Sequence, residues 1–261
     1  PINFAKFYRS FATTPKWPKE IAIAELAGKD SVAAIIKAQN ITPFATILGI
    51  GINHRSFFGN QAEPWDHFQF IRNNQTKLVL KSTPFLYLDV SDLFDHLIVR
   101  TMAIVQKYFN YFSPCPACHL FFHMMRVPIA HHLGITQIIT GERNFHNARK
   151  KLNQLPEVID LLKVLLQQEN IELLQVLQDI SNDAQIYNLL GARWKSAEPY
   201  YCSFSGNYYD ETGEIPFKTD HILIALKQFY FPLFHRTIQF IEQNHQQPDS
   251  DWIYSQIRAI L

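Results

Sequence analysis

The sequence predicts an α/β protein with a doubly wound parallel sheet and a mostly helical C-terminal extension. Three observations carry this. Between Ile21 and Gly141, short apolar runs alternate with segments of helical periodicity. The first run breaks at Ala27-Gly28-Lys29-Asp30-Ser31 and turns apolar again at once, the pattern of a strand, a tight turn and a buried helix. After Asn144 the texture changes to helical segments around one long polar loop.

Taken in order, Phe4, Phe7, Tyr8 and Phe11 stand near helical spacing and predict a short lead-in helix, closed by Pro15 and Pro18. Residues 21–26 form a buried strand, 31–39 a helix and 44–50 a second strand. A polar loop through Asn53-His54-Arg55 leads to a helix over 64–73. Strands follow at 77–81 and 85–90, then a helix over 93–112 that Ser113-Pro114 ends. A further helix covers 115–133, bent at Pro128, and 136–141 is a strand. Beyond it, 156–168 and 183–190 read as helices, 171–180 is ambiguous, and 222–244 and 252–261 are helical. Residues 196–218 are polar, Tyr-rich and without periodicity; a loop of that length in a compact domain is functional or disordered, and Cys202 within it favours function. The expected division is a nucleotide-binding α/β domain over residues 1–150 and a helical extension with a Cys-bearing loop over 151–261.

Composition narrows the function classes. Hydrophobic residues make up 47% of the 261, enough for a sizeable core, whereas charged residues are 18%, below the roughly 25% usual for soluble domains. The formal net charge of +1 creates no global field for a polyanion, so a nucleic-acid partner needs a local basic patch. Arg143, Arg149, Lys150 and Lys151 are the clearest such cluster, and a solvated helix end explains them equally well. No apolar run is long enough to span a membrane, and no signal-peptide pattern opens the chain, so a cytoplasmic protein is expected. An odd count of three cysteines argues against a disulfide framework and for metal or redox chemistry.

Ligands of open α/β sheets bind beyond the carboxyl ends of the strands, where Leu26 would end the first one. There Gly28 lets the backbone approach a ligand, Lys29 adds a point charge, and Asp30 and Ser31 begin a helix whose free N–H groups favour an anion. Ser31 can cap that helix or donate to a phosphate; Asp30 can hold Mg²⁺ or fix the turn. The stretch Leu26-Ala27-Gly28-Lys29-Asp30-Ser31 resembles the pyrophosphate-loop signature Ser-Gly-Gly-Lys-Asp-Ser of the ATP pyrophosphatases, with four positions matching and the first two departing. A capped strand-to-helix turn with a chance match is the bland alternative.

Cys115 and Cys118 lie three residues apart at a predicted helix start, a setting that favours thiolate and metal ligation, and Cys202 follows in the long loop. A tetrahedral zinc site would need a fourth ligand, with His119 or His123 available. A four-iron cluster held by three cysteines would leave one iron open to an exogenous sulfur or a substrate. His131 and His132 read as packing or surface residues.

The order of phosphate loop, Cys-x-x-Cys and one distant Cys is similar to the iron–sulfur-dependent tRNA thiolation enzymes, particularly the tRNA 2-thiocytidine synthetase family. Leu133-Gly134-Ile135-Thr136-Gln137-Ile138-Ile139-Thr140-Gly141 and Pro199-Tyr200-Tyr201-Cys202 extend the likeness, which covers about residues 21–202. After Gly141 that family continues with His and acidic residues; this chain has Glu142-Arg143-Asn144. The resemblance implies an adenine-nucleotide α-hydrolase-like fold. It implies ATP with Mg²⁺ at Leu26–Ser31 and Gly141, catalytic roles for Lys29, Asp30 and Ser31, and a [4Fe-4S] cluster on Cys115, Cys118 and Cys202. The activity implied is ATP-dependent sulfur transfer to a nucleobase carbonyl of a tRNA or a small molecule. A sulfur-donor protein and a homodimer are partners it leaves open. Two rival expectations are a zinc-containing amidating enzyme with the same loop and a non-catalytic nucleotide-binding regulatory module.

Overall fold

The computed structural model describes residues 1–13, 17–18, 20–74, 85–144, 151–195, 200–206 and 209–261. The predicted strand at 77–81 lies outside them, as do Arg149 and Lys150.

The chain opens with α1 (Phe4–Ser10), capped by the Asn3 side chain, and enters β1 (Ile21–Glu25). There follow α2 (Lys29–Ile41), β2 (Thr46–Asn53), a short β3 (Phe57–Gly59), α3 (Glu63–Asn74) and β4 (Leu86–Asp89). Next come α4 (Ser91–Phe94), α5 (Met102–Phe109), α6 (Cys115–Met124), α7 (Val127–Leu133) and β5 (Gln137–Ile139). The remainder holds α8 (Pro156–Gln168), β6 (Glu172–Leu174), α9 (Asp183–Leu190), β7 (Tyr200–Cys202), α10 (Thr219–Ala225), α11 (Phe231–Asn244) and α12 (Ser250–Ile260).

Five strands pair in the order β4-β2-β1-β5-β6, all parallel, and β3 pairs antiparallel with β7 in a separate two-stranded ribbon. Successive strand residues point to opposite faces, and the core divides accordingly. Ile21, Ile23, Leu48, Ile50 and Ile138 join one apolar cluster with residues of α6, α7, α8 and α11. Ala22, Ala24, Ile47 and Ile139 join the other with α2, α3 and α9. The small Ala22 and Ala24 share this cluster with Ala33 and Ala34 of α2. Helices thus cover both faces, the doubly wound arrangement the alternating runs predict. Among the described residues no helix is long and apolar enough to cross a membrane.

The structure departs from expectation in several elements, each for a local reason. The helix expected over 93–112 is interrupted: α4 widens into a π-type segment, Asp95–Val99, and Thr101 Oγ1 donates to the Leu97 and Ile98 carbonyls at 2.9 Å before α5 begins. The helix expected over 115–133 breaks at Met125–Arg126 rather than at Pro128, which takes a place in the first turn of α7, where its missing N–H costs least. The ambiguous stretch 171–180 supplies β6, and the polar loop supplies β7. Residues after 151 therefore contribute a sheet strand as well as helices, and Leu152, Leu162, Leu226 and Ile253 share one apolar cluster with Ile23 and Leu48.

Candidate functional site

The strand order places β2 and β4 on one side of β1, and β5 and β6 on the other. Connections therefore diverge at the carboxyl ends of β1 and β5, and such a switch point leaves a crevice there. A cavity of about 600 Å³ fills that position, within the range of roughly 300–1,000 Å³ found for small-molecule sites.

Its floor is the turn after β1. Gly28 is extended and places no side chain on the start of α2, so the helix enters the cavity uncapped by any side chain. A Cβ on Gly28 would meet no atom within 4 Å: it would project into open space, as expected of a cradle shaped for a ligand. Ser31 does not cap the helix. Its hydroxyl donates to Gly28 O at 2.6 Å and accepts from Ala27 N at 3.0 Å, drawing the turn closed on itself. His67 Nδ1 donates to Ala27 O at 2.7 Å and holds the turn from α3.

The second wall is the turn after β5. Gly141 abuts the start of α2 so closely that a Cβ would lie 2.5 Å from Ser31 N and 2.7 Å from Asp30 C. Only glycine permits this approach, because the clashing atoms are backbone. Next to it, Arg143 is fully buried and donates from Nε to Asp30 Oδ2 at 3.0 Å and from Nη2 to Asp183. Of the two roles the sequence leaves open for Asp30, the geometry displays turn fixing. The basic cluster expected on a surface is corrected at Arg143, which is an interior tie.

Asp183, at the start of α9, also receives Lys29 Nζ at 2.6 Å, and Lys29 lies 4.9 Å over the Tyr187 ring. Burial by itself would raise the Asp183 pKa, but bonds from Lys29 and Arg143 outweigh it and hold the carboxyl well below its ordinary value. Burial opposes the Lys29 charge in the same way; Asp183 outweighs it and the lysine pKa rises.

The far wall carries the three cysteines. Cys115 and Cys118 come from the first turn of α6, and Cys202 ends β7, opposite Phe57 of β3. All three line the cavity together with Lys29, Asp30 and Ser31. Cys115 Sγ lies 3.8 Å from the Phe204 carbonyl, two residues beyond Cys202, and Cys202 Sγ lies 3.8 Å from Ser56 Oγ. The thiols are free, and each is within electrostatic reach of the others. The expectation that the helix N-terminus lowers their pKa values is corrected for Cys115 and Cys118. Desolvation dominates, pushing Cys115 up to about 12 and Cys118 well above its ordinary range. Such thiols ionise when a metal supplies the compensating charge.

Between loop and thiols sits Glu142, buried and accepting from His119 Nδ1 and His123 Nε2 at 3.0 Å each and from Gln175 Nε2 at 2.9 Å. Burial would raise its pKa, yet His123 and His119 hold the carboxyl well below the usual range. The two histidines are therefore engaged with a carboxylate. His131 and His132 are structural: His131 bonds Glu242 and the Glu169 carbonyl, and His132 packs on Phe7 and Tyr8. Among the described residues no three His, Cys, Asp or Glu side chains form a set that could hold a single metal ion.

No motif in the chain marks Glu25, Asp183, Tyr187 or Trp194, all brought to this cavity or its rim, and Lys151 stands out only as part of a basic cluster. Asp183 follows Asn182, a helix cap, and that cap is the sole local signal at this position.

Fold and site together define a parallel α/β protein with a glycine-bearing turn at its switch point and three cysteines on the opposite wall of the same cavity. The chain belongs to the family of the uncharacterized protein MJ0009 of Methanocaldococcus jannaschii, with which it is 32% identical over 223 residues, covering 82% of this chain and 78% of that protein. No family model matches the chain.

Proposed function

We propose that the protein is an ATP-dependent sulfurtransferase of the pyrophosphate-loop kind, acting on a carbonyl of a nucleobase in a tRNA or a small molecule. The observation that carries this reading is the shared cavity: the loop residues Ala27–Ser31 and the cysteines Cys115, Cys118 and Cys202, far apart in the chain, open onto one space, while Leu26 is buried in the core.

In this reading the triphosphate lies against the uncapped start of α2, where N–H groups and Lys29 offset its charge. The substrate oxygen attacks the α-phosphorus, the bond from that phosphorus to the bridging oxygen breaks, and pyrophosphate leaves with the electron pair. Hydrosulfide then adds to the activated carbon, the carbon–oxygen bond breaks, and AMP leaves as the sulfur loses its proton. No electron changes owner overall. Cys115, Cys118 and Cys202 line one cavity and are the residues that would hold a [4Fe-4S] cluster. When bound, such a cluster with three protein thiolates would present an exogenous sulfide at its open iron. Those three cysteines would hold it, and Phe57, Phe122 and Phe204, which line the same cavity, would screen it from water.

Purification without oxygen, followed by iron, sulfide and zinc analysis, tests the reading. About four irons and four sulfides per chain are expected, lost in Cys202→Ala, together with pyrophosphate release from ATP when a substrate RNA or heterocycle is added. Stoichiometric zinc in a colourless protein would favour an amidating enzyme. ATP binding without pyrophosphate release across RNA and small heterocycles would favour a regulatory module. Salt-sensitive tRNA binding separates RNA from small substrates.

A further inference from the structure

We propose that Lys151 is a catalytic residue that contacts the α-phosphate, the group that lies between pyrophosphate and the sulfur-bearing wall; this rests on the sulfurtransferase reading of the cavity. Two other cations serve the loop, and both are already committed. Lys29 is paired with Asp183, and Arg143 is divided between Asp30 and Asp183. Lys151 lines the same cavity, and among the described residues it forms no ion pair or hydrogen bond through its side chain. Its backbone is fixed: Lys151 precedes the 3₁₀ turn Leu152–Gln154, its carbonyl accepts from Gln154 N at 2.9 Å, and Leu152 is wholly buried in the core. Lys151 thus lines the cavity from an anchored backbone.

Its place relative to the chemistry follows from its neighbours. The ammonium is within electrostatic reach of Asp30, Asp183, Lys29 and Arg143 on the loop side and of Cys115 on the thiol side. Lys29 and Arg143 are paired with Asp30 and Asp183, and Lys151 adds a cation with no bonded carboxylate among the described residues. A nucleotide held by its terminal phosphates at α2 and attacked from the thiol side must place its α-phosphate between these groups. Lys151 is the described side chain positioned to take up charge there, as the α-phosphoryl becomes pentacoordinate and again as AMP departs. Partial burial works against the free ammonium, which an incoming phosphate would relieve.

The test is calorimetric titration of the full chain with ATP, AMP and inorganic pyrophosphate, each with Mg²⁺, on wild type, Lys151→Met, Lys151→Arg and Lys29→Met. Lys151→Met keeps the aliphatic stem, and a melting curve matching wild type reports its fold. Loss of one charge-assisted contact weakens ATP and AMP about tenfold or more, with pyrophosphate unchanged and Lys151→Arg restoring most of the loss. Lys29→Met gives the converse pattern, weakening ATP and pyrophosphate. Three results overturn the assignment: Lys151→Met binding all three ligands as wild type does, a loss that extends equally to pyrophosphate, or Lys151→Arg failing as badly as Lys151→Met. Wild type binding neither ATP nor pyrophosphate would instead remove the phosphate-loop reading, and this inference with it.

Discussion

Lys29 Nζ and Asp183 Oδ2 stand 2.6 Å apart, although 154 positions separate them in the chain. The same carboxylate receives Arg143, so a single acidic side chain of α9 ties together cations from the turns after β1 and β5. The cavity is preorganised by this tie before any ligand arrives.

Asp183→Asn should destabilise the protein by about 1–3 kcal/mol, because the buried Arg143 guanidinium loses an ionised partner. The folded-state pKa of Asp183 is depressed. Its contribution is therefore complete above the unfolded value near 4 and declines as pH falls below that value. Urea unfolding from pH 7 to pH 2 should show wild type and variant converging at the acid end.

Gly141→Ala and Gly28→Ala should separate fold from ligand binding. The Gly141 Cβ would strike backbone at 2.5 Å and should lower stability by about 1–3 kcal/mol as well as ATP affinity. The Gly28 Cβ enters open space at an ordinary φ of −91°, so Gly28→Ala should melt like wild type yet bind ATP more weakly. Thermal melts paired with ATP titration distinguish the two.

Glu142→Gln removes the charge that two histidines and Gln175 address inside the cavity wall. A cost of about 2–4 kcal/mol is expected, since donors built around a buried carboxylate keep their desolvation and lose its charge. Chemical denaturation at pH 7 measures it.

His54 lies between the rings of Phe57 and Phe94, with centroids 3.8 and 3.9 Å away, and its Nδ1 accepts from Ser56 Oγ at 2.7 Å. Desolvation lowers its pKa from 6.5 to about 3, so the neutral ring belongs to the folded state. The stability this contributes is present above pH 6.5 and is lost as pH falls toward 3. At pH 4 the loss is about 3 kcal/mol by linkage. In His54→Phe that pH-dependent loss should vanish, which urea titrations at pH 7 and pH 4 would detect.

Much of the architecture was legible because local patterns report burial. Residues 156–168 and 183–190 were readable as helices from apolar periodicity, and Ile21–Glu25 as a strand from its continuous apolar run. Interruptions were less legible. The break at Arg100–Thr101 depends on which carbonyls a threonine hydroxyl captures, and β6 and β7 are three-residue strands whose pairing partners lie far away in the chain. At the site, Gly28, Lys29, Asp30, Ser31 and the cysteines were marked by spacing. Arg143 was misjudged as surface because charge alone does not reveal burial among Asp30 and Asp183.

By itself, then, the sequence determined the alternation of strands and helices, the loop at the end of β1 and the presence of three thiols, because each is written in neighbouring residues. The tertiary structure alone decided that Cys202 shares a cavity with Cys115, that Asp183 claims Lys29, and that Lys151 lines the same cavity. Those relationships depend on strand order and on loop closure across tens of residues, where packing rather than local preference sets which groups share a cavity.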